Sequence, residues 1–266
     1  MAVRLVALDI DGTIVPPGAP GDGLPSPRIT SAVKRLRESG VAVVLASGRM
    51  FPGTARVARH LELETPVVCQ QGCSVHLLDG TMTHEFALDG EIAREIVAYA
   101  RELGHAYEWF NPLRYLVSRE GEASREYGRV SGIVPEYRAD PELSGVVPTG
   151  VGVISSAEEA NLVHRELVAR YGEALHVLDF PTVTVAVAPD ANKGHALSLL
   201  CADLGIDRHD VVAIGDSVND APMLVWAGRG VALAHSDRYA LDVANDVLPD
   251  GDEPVAQFLE GLMRTR

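Results

Sequence analysis

The sequence predicts an α/β fold: an open parallel sheet with helices on both faces, interrupted by a separate α+β block. Three observations carry this expectation. Short apolar runs near both ends of the chain, such as Leu5–Leu8, Val41–Ala46, Val67–Cys69 and Val211–Ile214, alternate with helical segments. Continuous apolar runs read as strands buried on both faces of a parallel sheet, and a β-α-β order implies right-handed parallel crossovers. Between about 83 and 188 the alternation gives way to hairpin-like pairs. Two domains follow: a core from 1–82 plus 189–266, and an inserted domain over 83–188.

The first strand runs straight into Asp9-Ile10-Asp11-Gly12-Thr13. Strand alternation points Asp9 and Asp11 the same way, with Ile10 opposite. Two carboxylates at the end of a buried strand are costly without a positive partner, and a hard cation such as Mg²⁺ prefers oxygen ligands. Taken alone, the same residues also suit an acidic turn capping a strand. A Pro- and Gly-rich loop over 15–27 follows, then a helix from about 27 to 39 stopped by Gly40. The second strand, 41–46, ends in Ser47-Gly48-Arg49. A helix over 54–61 and the strand 67–69 lead to Gln70-Gln71-Gly72.

Leading into the inserted block, a hairpin of 75–78 and 81–86 turns at Asp79-Gly80. A helix is expected over 91–103, and strands over 107–110 and 115–118 turn at Asn111-Pro112. Another strand is expected over 146–154. Ser156-x-x-Glu159 is a capping box that opens a helix to about 171. A second hairpin, 175–180 and 183–188, turns at Pro181-Thr182. The α/β order resumes at Asn192-Lys193-Gly194, which opens a helix to 204. A buried strand over 210–214 ends in Gly215-Asp216-Ser217-Val218-Asn219-Asp220. A helix to 227, a strand 230–233, a helix 237–244, a strand 246–248 and a helix 253–263 complete the chain.

Four polar clusters thus fall at the carboxyl ends of strands or at a helix start: Asp9/Asp11, Ser47/Arg49, Lys193, and Asp216/Asn219/Asp220. Sites of open parallel sheets form at the carboxyl ends of strands. Each cluster alone has a plainer reading. Ser47-Gly48-Arg49 can be a strand-to-helix turn, Lys193 a solvated helix-start lysine, and Asp220 a carboxylate serving a helix N-terminus.

Together and in this order the clusters resemble the haloacid dehalogenase-like (HAD) hydrolase superfamily. The first motif is Asp9-Ile10-Asp11-Gly12-Thr13, the second Ser47-Gly48-Arg49, the third Lys193, and the fourth Gly215-Asp216-x-x-Asn219-Asp220. The insert over 83–188 resembles the C2-type cap of Cof-like, class IIB phosphatases. The resemblance implies a Rossmann-like doubly wound core with an α+β cap. It also implies a Mg²⁺-dependent phosphatase acting on a small phosphomonoester through an aspartyl-phosphate.

In that scheme Asp9 is the nucleophile and Asp11 the general acid, then base. Asp9, the Asp11 backbone carbonyl and Asp216 hold Mg²⁺. Ser47, Gly48, Arg49, Lys193 and Asn219 bind the substrate phosphate, and Lys193 lowers the pKa of Asp9. Asp220 supports the metal shell. Arg114, Tyr115, His176, Asp179 and Thr182 are cap candidates for leaving-group contacts. A phosphomutase of the phosphomannomutase type shares the superfamily and cap type. A non-catalytic sugar-phosphate-binding protein on the same fold is the reading from another class. The chain departs from the family at Gln71-Gly72, where Asn-Gly is frequent, and at Ala234-His235-Ser236, where Gly-Asn-Ala is frequent.

Composition narrows the partners. The 266 residues are 47% hydrophobic, enough for real cores. The formal net charge of −14 disfavours nucleic-acid and anionic-membrane surfaces. No apolar stretch is long enough to cross a membrane, and the first strand has no signal-like segment before it, which points to the cytoplasm. Cys69, Cys73 and Cys201 show no zinc spacing and read as buried thiols.

Overall fold

The computed structural model describes residues 2–16 and 23–263. Part of the Pro- and Gly-rich loop expected over 15–27 therefore lies outside the described residues. The chain divides into two compact units, one formed by 1–84 and 192–266, the other by 85–191.

In the first unit, β1 (Leu5–Leu8), α1 (Pro27–Glu38), β2 (Ala42–Leu45), α2 (Phe51–His60) and β3 (Val67–Cys69) come first. β4 (Ser74–His76) and β5 (Met82–Glu85) follow them. The second unit carries α3 (Gly90–Glu102), β6 (Ala106–Phe110), β7 (Tyr115–Val117), α4 (Glu122–Ser131), β8 (Glu136–Tyr137), β9 (Gly150–Ile154), α5 (Ala157–Tyr171), β10 (His176–Asp179) and β11 (Val183–Val187). The chain then returns to the first unit through α6 (Lys193–Leu204), β12 (Val211–Ile214), α7 (Ala221–Trp226), β13 (Arg229–Leu233), α8 (Arg238–Leu241), β14 (Asp246–Leu248) and α9 (Asp252–Leu262).

The main sheet has the order β14-β13-β12-β1-β2, with every pair parallel. β3 joins the β2 side through a single parallel bridge between Ala46 and Val68 and pairs antiparallel with β4. Strand alternation splits the core in two. Val6, Leu8, Val43, Leu45, Val212 and Ile214 pack with α1, α2 and α9. Leu5, Ala7, Val44, Val211 and Ala213 pack with α6, α7 and α8. Both faces are covered, which is why these strands carry no polar position. The order reverses at β1, whose neighbours are β2 on one side and β12 on the other. A crevice at the carboxyl ends of the strands is expected at such a switch point.

α2 starts at Phe51, a turn before the expected residue 54, because Pro52 suits the first helical turn. The second unit has a six-stranded sheet, β10-β11-β9-β6-β7-β8. Tyr107, Trp109, Leu116, Val151, Val153 and Ala186 face one core, with α3 and α5 packed on it. The stretch 119–145 had no sequence assignment. It forms α4, ended by the left-handed Gly132, and β8, which runs parallel to β7. α4 escapes periodicity because its only buried positions are Ser124, Gly128 and Ser131.

Glu108 of β6 is buried and accepts a hydrogen bond from the Tyr115 hydroxyl. Burial lifts its carboxyl from the ordinary range near 4.5 to about 7, against the lowering effect of the Tyr115 bond. Between those values the unfolded chain ionises while the folded chain keeps its proton, so this group makes stability fall as pH rises from about 4.5 to about 7. We expect Glu108→Gln to remove about 1–3 kcal/mol of that decline. Unfolding midpoints of both proteins across this range check it; parallel curves would rule it out.

Candidate active site

β1 stops at Leu8, and the chain turns at once. Asp9 donates its backbone N–H to the Ile214 carbonyl of β12, while Thr13, Ile14 and Val15 turn back onto the Ile10 carbonyl. Gly12 sits at φ +94°, and a Cβ there would lie 2.2 Å from Asp216 Oδ2. Only glycine suits both the left-handed backbone and the close approach. Because Asp9 and Asp11 sit in this turn, strand alternation does not orient them. Asp9 is 4% exposed, whereas the Asp11 side chain is about half exposed (49%).

Lys193 sits at the start of α6, which Asn192 caps through the His195 N–H. Its ammonium is fully buried and donates to Asp9 Oδ1 and to Asp220 Oδ1, each at 2.6 Å. Asp220 Oδ2 in turn accepts the backbone N–H groups of Asp216 and Ser217, both at 3.0 Å. Thr13 Oγ1 donates to Asp216 Oδ1 at 2.9 Å. One oxygen from each of Asp9, Asp216 and Asp220 falls within 4.8 Å of the others.

The electrostatics are unbalanced. Burial raises the Asp9 carboxyl well above its ordinary value, and the charges of Asp220 and Asp216 add to the rise; Lys193 only partly opposes it. Lys193 acts on Asp9 in the expected direction, lowering its pKa, and burial together with the Asp220 and Asp216 charges outweighs it. Burial and Asp220 also push Asp216 to about 7. Burial alone would lower Lys193, but Asp220 and Asp9 outweigh it and hold the ammonium charged. Three buried or half-buried carboxylates against one ammonium, with oxygen donors only, fit a hard divalent cation.

The second motif divides in two. Ser47 is fully buried; its Oγ accepts the Arg49 N–H at 3.2 Å, and its carbonyl accepts the Gln71 N–H. Arg49 turns instead to Asp11. Its Nε and Nη2 donate to Asp11 Oδ2 and Oδ1 at 2.7 and 2.6 Å, and Nη1 donates to the Gly23 carbonyl. This fork engages the guanidinium that the sequence reading gave to the substrate phosphate. Asn219, 6% exposed, accepts the Ser217 hydroxyl on Oδ1 and donates Nδ2 to Gln71 Oε1.

Four residues absent from the sequence-based set belong to this network. Thr13 was legible in the motif itself. Gln71 and His235 stand in the sequence only as departures from the family pattern. His235 Nδ1 lies 2.7 Å from Asp250 Oδ1, and its Nε2 lies 3.0 Å from the Gly12 carbonyl and 3.9 Å from Asp216 Oδ2. Asp237 accepts the Val218 N–H and donates its own N–H to the Asp216 carbonyl. It has no local signal beyond its role as the α8 cap.

Within the second unit, Arg114 is paired by both Nε and Nη2 with Glu136, so its charge is already engaged. Tyr115 is 1% exposed and packs inside its unit rather than at a rim. His176 is partly buried, its Nε2 has no hydrogen-bond partner, and burial lowers its pKa.

The first unit is that of an α/β enzyme with an acidic centre at the carboxyl ends of its parallel strands. Residues 6–259 match the haloacid dehalogenase-like hydrolase family, and the chain belongs to it. It is 26% identical over 234 residues to a protein named HMP-PP phosphatase from Escherichia coli strain K12, covering 88% of this chain and 85% of that one. A haloacid dehalogenase-like hydrolase from B. subtilis superposes with a TM-score of 0.84 at 22% identity, over 97% of this chain and 99% of the other. A structure described as a HAD subclass IIB sugar phosphatase gives 0.83 at 17% identity, over 98% and 100%. Among the described residues, no helix is long and apolar enough to cross a membrane.

Removing Lys193 would strand two buried carboxylates. We expect Lys193→Met to lower stability by about 3–5 kcal/mol at neutral pH. Denaturant unfolding checks this, and a loss below about 1 kcal/mol would show that the pair is not a structural keystone.

Proposed function

We propose that the chain is a Mg²⁺-dependent phosphatase that hydrolyses a small phosphomonoester through an aspartyl-phosphate on Asp9. The observation that carries the reading is the buried Lys193 ammonium between Asp9 and Asp220, beside Asp216. A carboxylate would hardly be kept in so costly a place for packing alone. Asp9 attacks phosphorus, an Asp9 oxygen–phosphorus bond forms, and the bond to the leaving oxygen breaks. Asp11 gives that oxygen a proton, then takes one from the water that attacks the phosphoenzyme, releasing inorganic phosphate and restoring Asp9.

Arg49 forks onto both Asp11 oxygens in this structure, so it positions Asp11 here and releases it when Asp11 takes up the proton that it gives to the leaving oxygen. Ser47, whose Oγ–H has no acceptor among the described residues, and the Gly48 backbone bind the phosphoryl oxygens with Lys193 and Asn219. Asp9, the Asp11 carbonyl and Asp216 are the ligands we assign to Mg²⁺, which when bound neutralises phosphoryl oxygens. Asp220 supports this shell through its bonds to the Asp216 and Ser217 N–H groups. The unit 85–191 acts as the cap and selects the leaving group, with His176 as its remaining candidate, since Glu136 engages Arg114 and Tyr115 is buried within its own unit. A sugar phosphate or a phosphorylated metabolite like that of the HMP-PP phosphatase relative is the substrate class, and the cytoplasm is the compartment.

Phosphate release from p-nitrophenyl phosphate should require Mg²⁺, stop with EDTA and vanish in Asp9→Asn. Release that persists with chelator, or in Asp9→Asn, would sink the reading. Isomer without free phosphate from a hexose 1-phosphate would identify a mutase instead.

A further inference from the structure

Gln70, Gln71 and Gly72 are three successive residues with positive φ, at +50°, +64° and +103°. Such backbone suits glycine, and two glutamines in it persist only where their surroundings hold them. Here they do. Gln70 N–H donates to the Arg49 carbonyl, Gln71 N–H to the Ser47 carbonyl, and Cys73 N–H to the Gln70 carbonyl. Gly72 is wedged under the start of α6, where a Cβ would lie 2.2 Å from the Asn192 carbonyl carbon. The turn therefore has little freedom, and it carries one polar side chain into the site.

That side chain is Gln71. Its carboxamide lies over Gly48, where a Cβ on Gly48 would fall 2.7 Å from Gln71 Nε2 and 2.9 Å from Oε1. Its Oε1 accepts Asn219 Nδ2, while Asn219 Oδ1 is occupied by the Ser217 hydroxyl. The direction of this chain of bonds leaves Gln71 Nε2 with its hydrogens and no acceptor among the described residues. The amide thus sits between Gly48 of the second motif and Asn219 of the fourth.

We propose that Gln71 is a substrate-binding residue whose Nε2 donates a hydrogen bond to an oxygen of the substrate phosphoryl group. This rests on the phosphatase reading above. A neutral donor suits this place: it adds to phosphate binding without disturbing the charge balance of Lys193 and the three carboxylates. The side chain also ties Asn219, so one residue serves both the phosphate and its neighbour.

Isothermal titration of the Mg²⁺-loaded protein with inorganic phosphate tests it, alongside titration with Mg²⁺ and the unfolding midpoint. Gln71→Met keeps the reach and neutrality but has no donor. Gln71→Glu keeps the acceptor for Asn219 and replaces the donor with an anion. The expected result is a loss of phosphate affinity in Gln71→Met of roughly 10- to 100-fold, the range of a hydrogen bond to a charged group. Gln71→Glu loses at least as much, with Mg²⁺ affinity in Gln71→Met and both midpoints unchanged. A loss in Gln71→Glu alone would report only the added charge and overturn the proposal. An equal fall of phosphate affinity, Mg²⁺ affinity and midpoint in Gln71→Met would mean that Gln71 merely props the site, and would also overturn it. Phosphate binding by the wild type without turnover would remove the phosphatase reading and leave the Gln71 comparison standing. No phosphate binding at all would remove both.

Discussion

The fully buried ammonium of Lys193 is the constraint around which the first unit is built. An unpaired charge at zero exposure is intolerable, so two carboxylates must reach it. They come from opposite ends of the chain, Asp9 after β1 and Asp220 after β12. The parallel register of β1 with β12, Leu5 with Val211 through Leu8 with Ile214, brings both strand ends level. The helix bearing Lys193 packs Ala196, Leu197, Leu200 and Cys201 on the face that carries Leu5, Ala7, Val211 and Ala213. A shift of one residue in that register would turn each strand's two side-chain sets to the opposite faces, and the lysine would lose its partners with them.

Backbone groups do much of the remaining work. Asp220 spends one oxygen on Lys193 and the other on two N–H groups of its own loop. Asp237 pins the same loop from α8, and Thr13 bonds Asp216 from the first turn. Gly12 admits the Asp216 carboxylate where any side chain would collide with it. The acidic cluster is therefore rigid before any ligand arrives. Rigid, pre-oriented groups are what electrostatic stabilisation of a transferring phosphoryl group requires.

Most of this was legible in the sequence because buried parallel strands leave an unmixed apolar signal and their ends are marked by abrupt polarity. Asp9, Lys193, Asp216 and Asp220 each follow such a boundary or open a helix, and the structure brings all four together. What sequence could not supply depends on contacts across the chain. The pairing of Arg49 with Asp11 spans 38 positions, and nothing in Ser47-Gly48-Arg49 distinguishes a guanidinium facing a phosphate from one facing a carboxylate. Tyr115 resembled a rim residue because it adjoins a turn, yet its ring is buried and its hydroxyl meets Glu108. α4 was missed because it buries small polar residues rather than an apolar stripe. The net rise of the Asp9 pKa follows from burial and from two carboxylates far along the chain, which no local pattern reports.

The charge arrangement bears on the order in which ligands enter. The chain is acidic overall, and its two site cations are committed, Arg49 to Asp11 and Lys193 to Asp9 and Asp220. With the three clustered carboxylates ionised, the protein alone presents excess negative charge to an incoming phosphate. Burial responds by raising the pKa of Asp9 and Asp216, which opposes the ionised carboxylates that the proposed function needs. On the proposed function, a divalent cation relieves both difficulties: it favours the ionised carboxylates and attracts the phosphate. On that reading metal binding precedes productive phosphate binding, since the same groups that repel a phosphate are the ones that would recruit the cation.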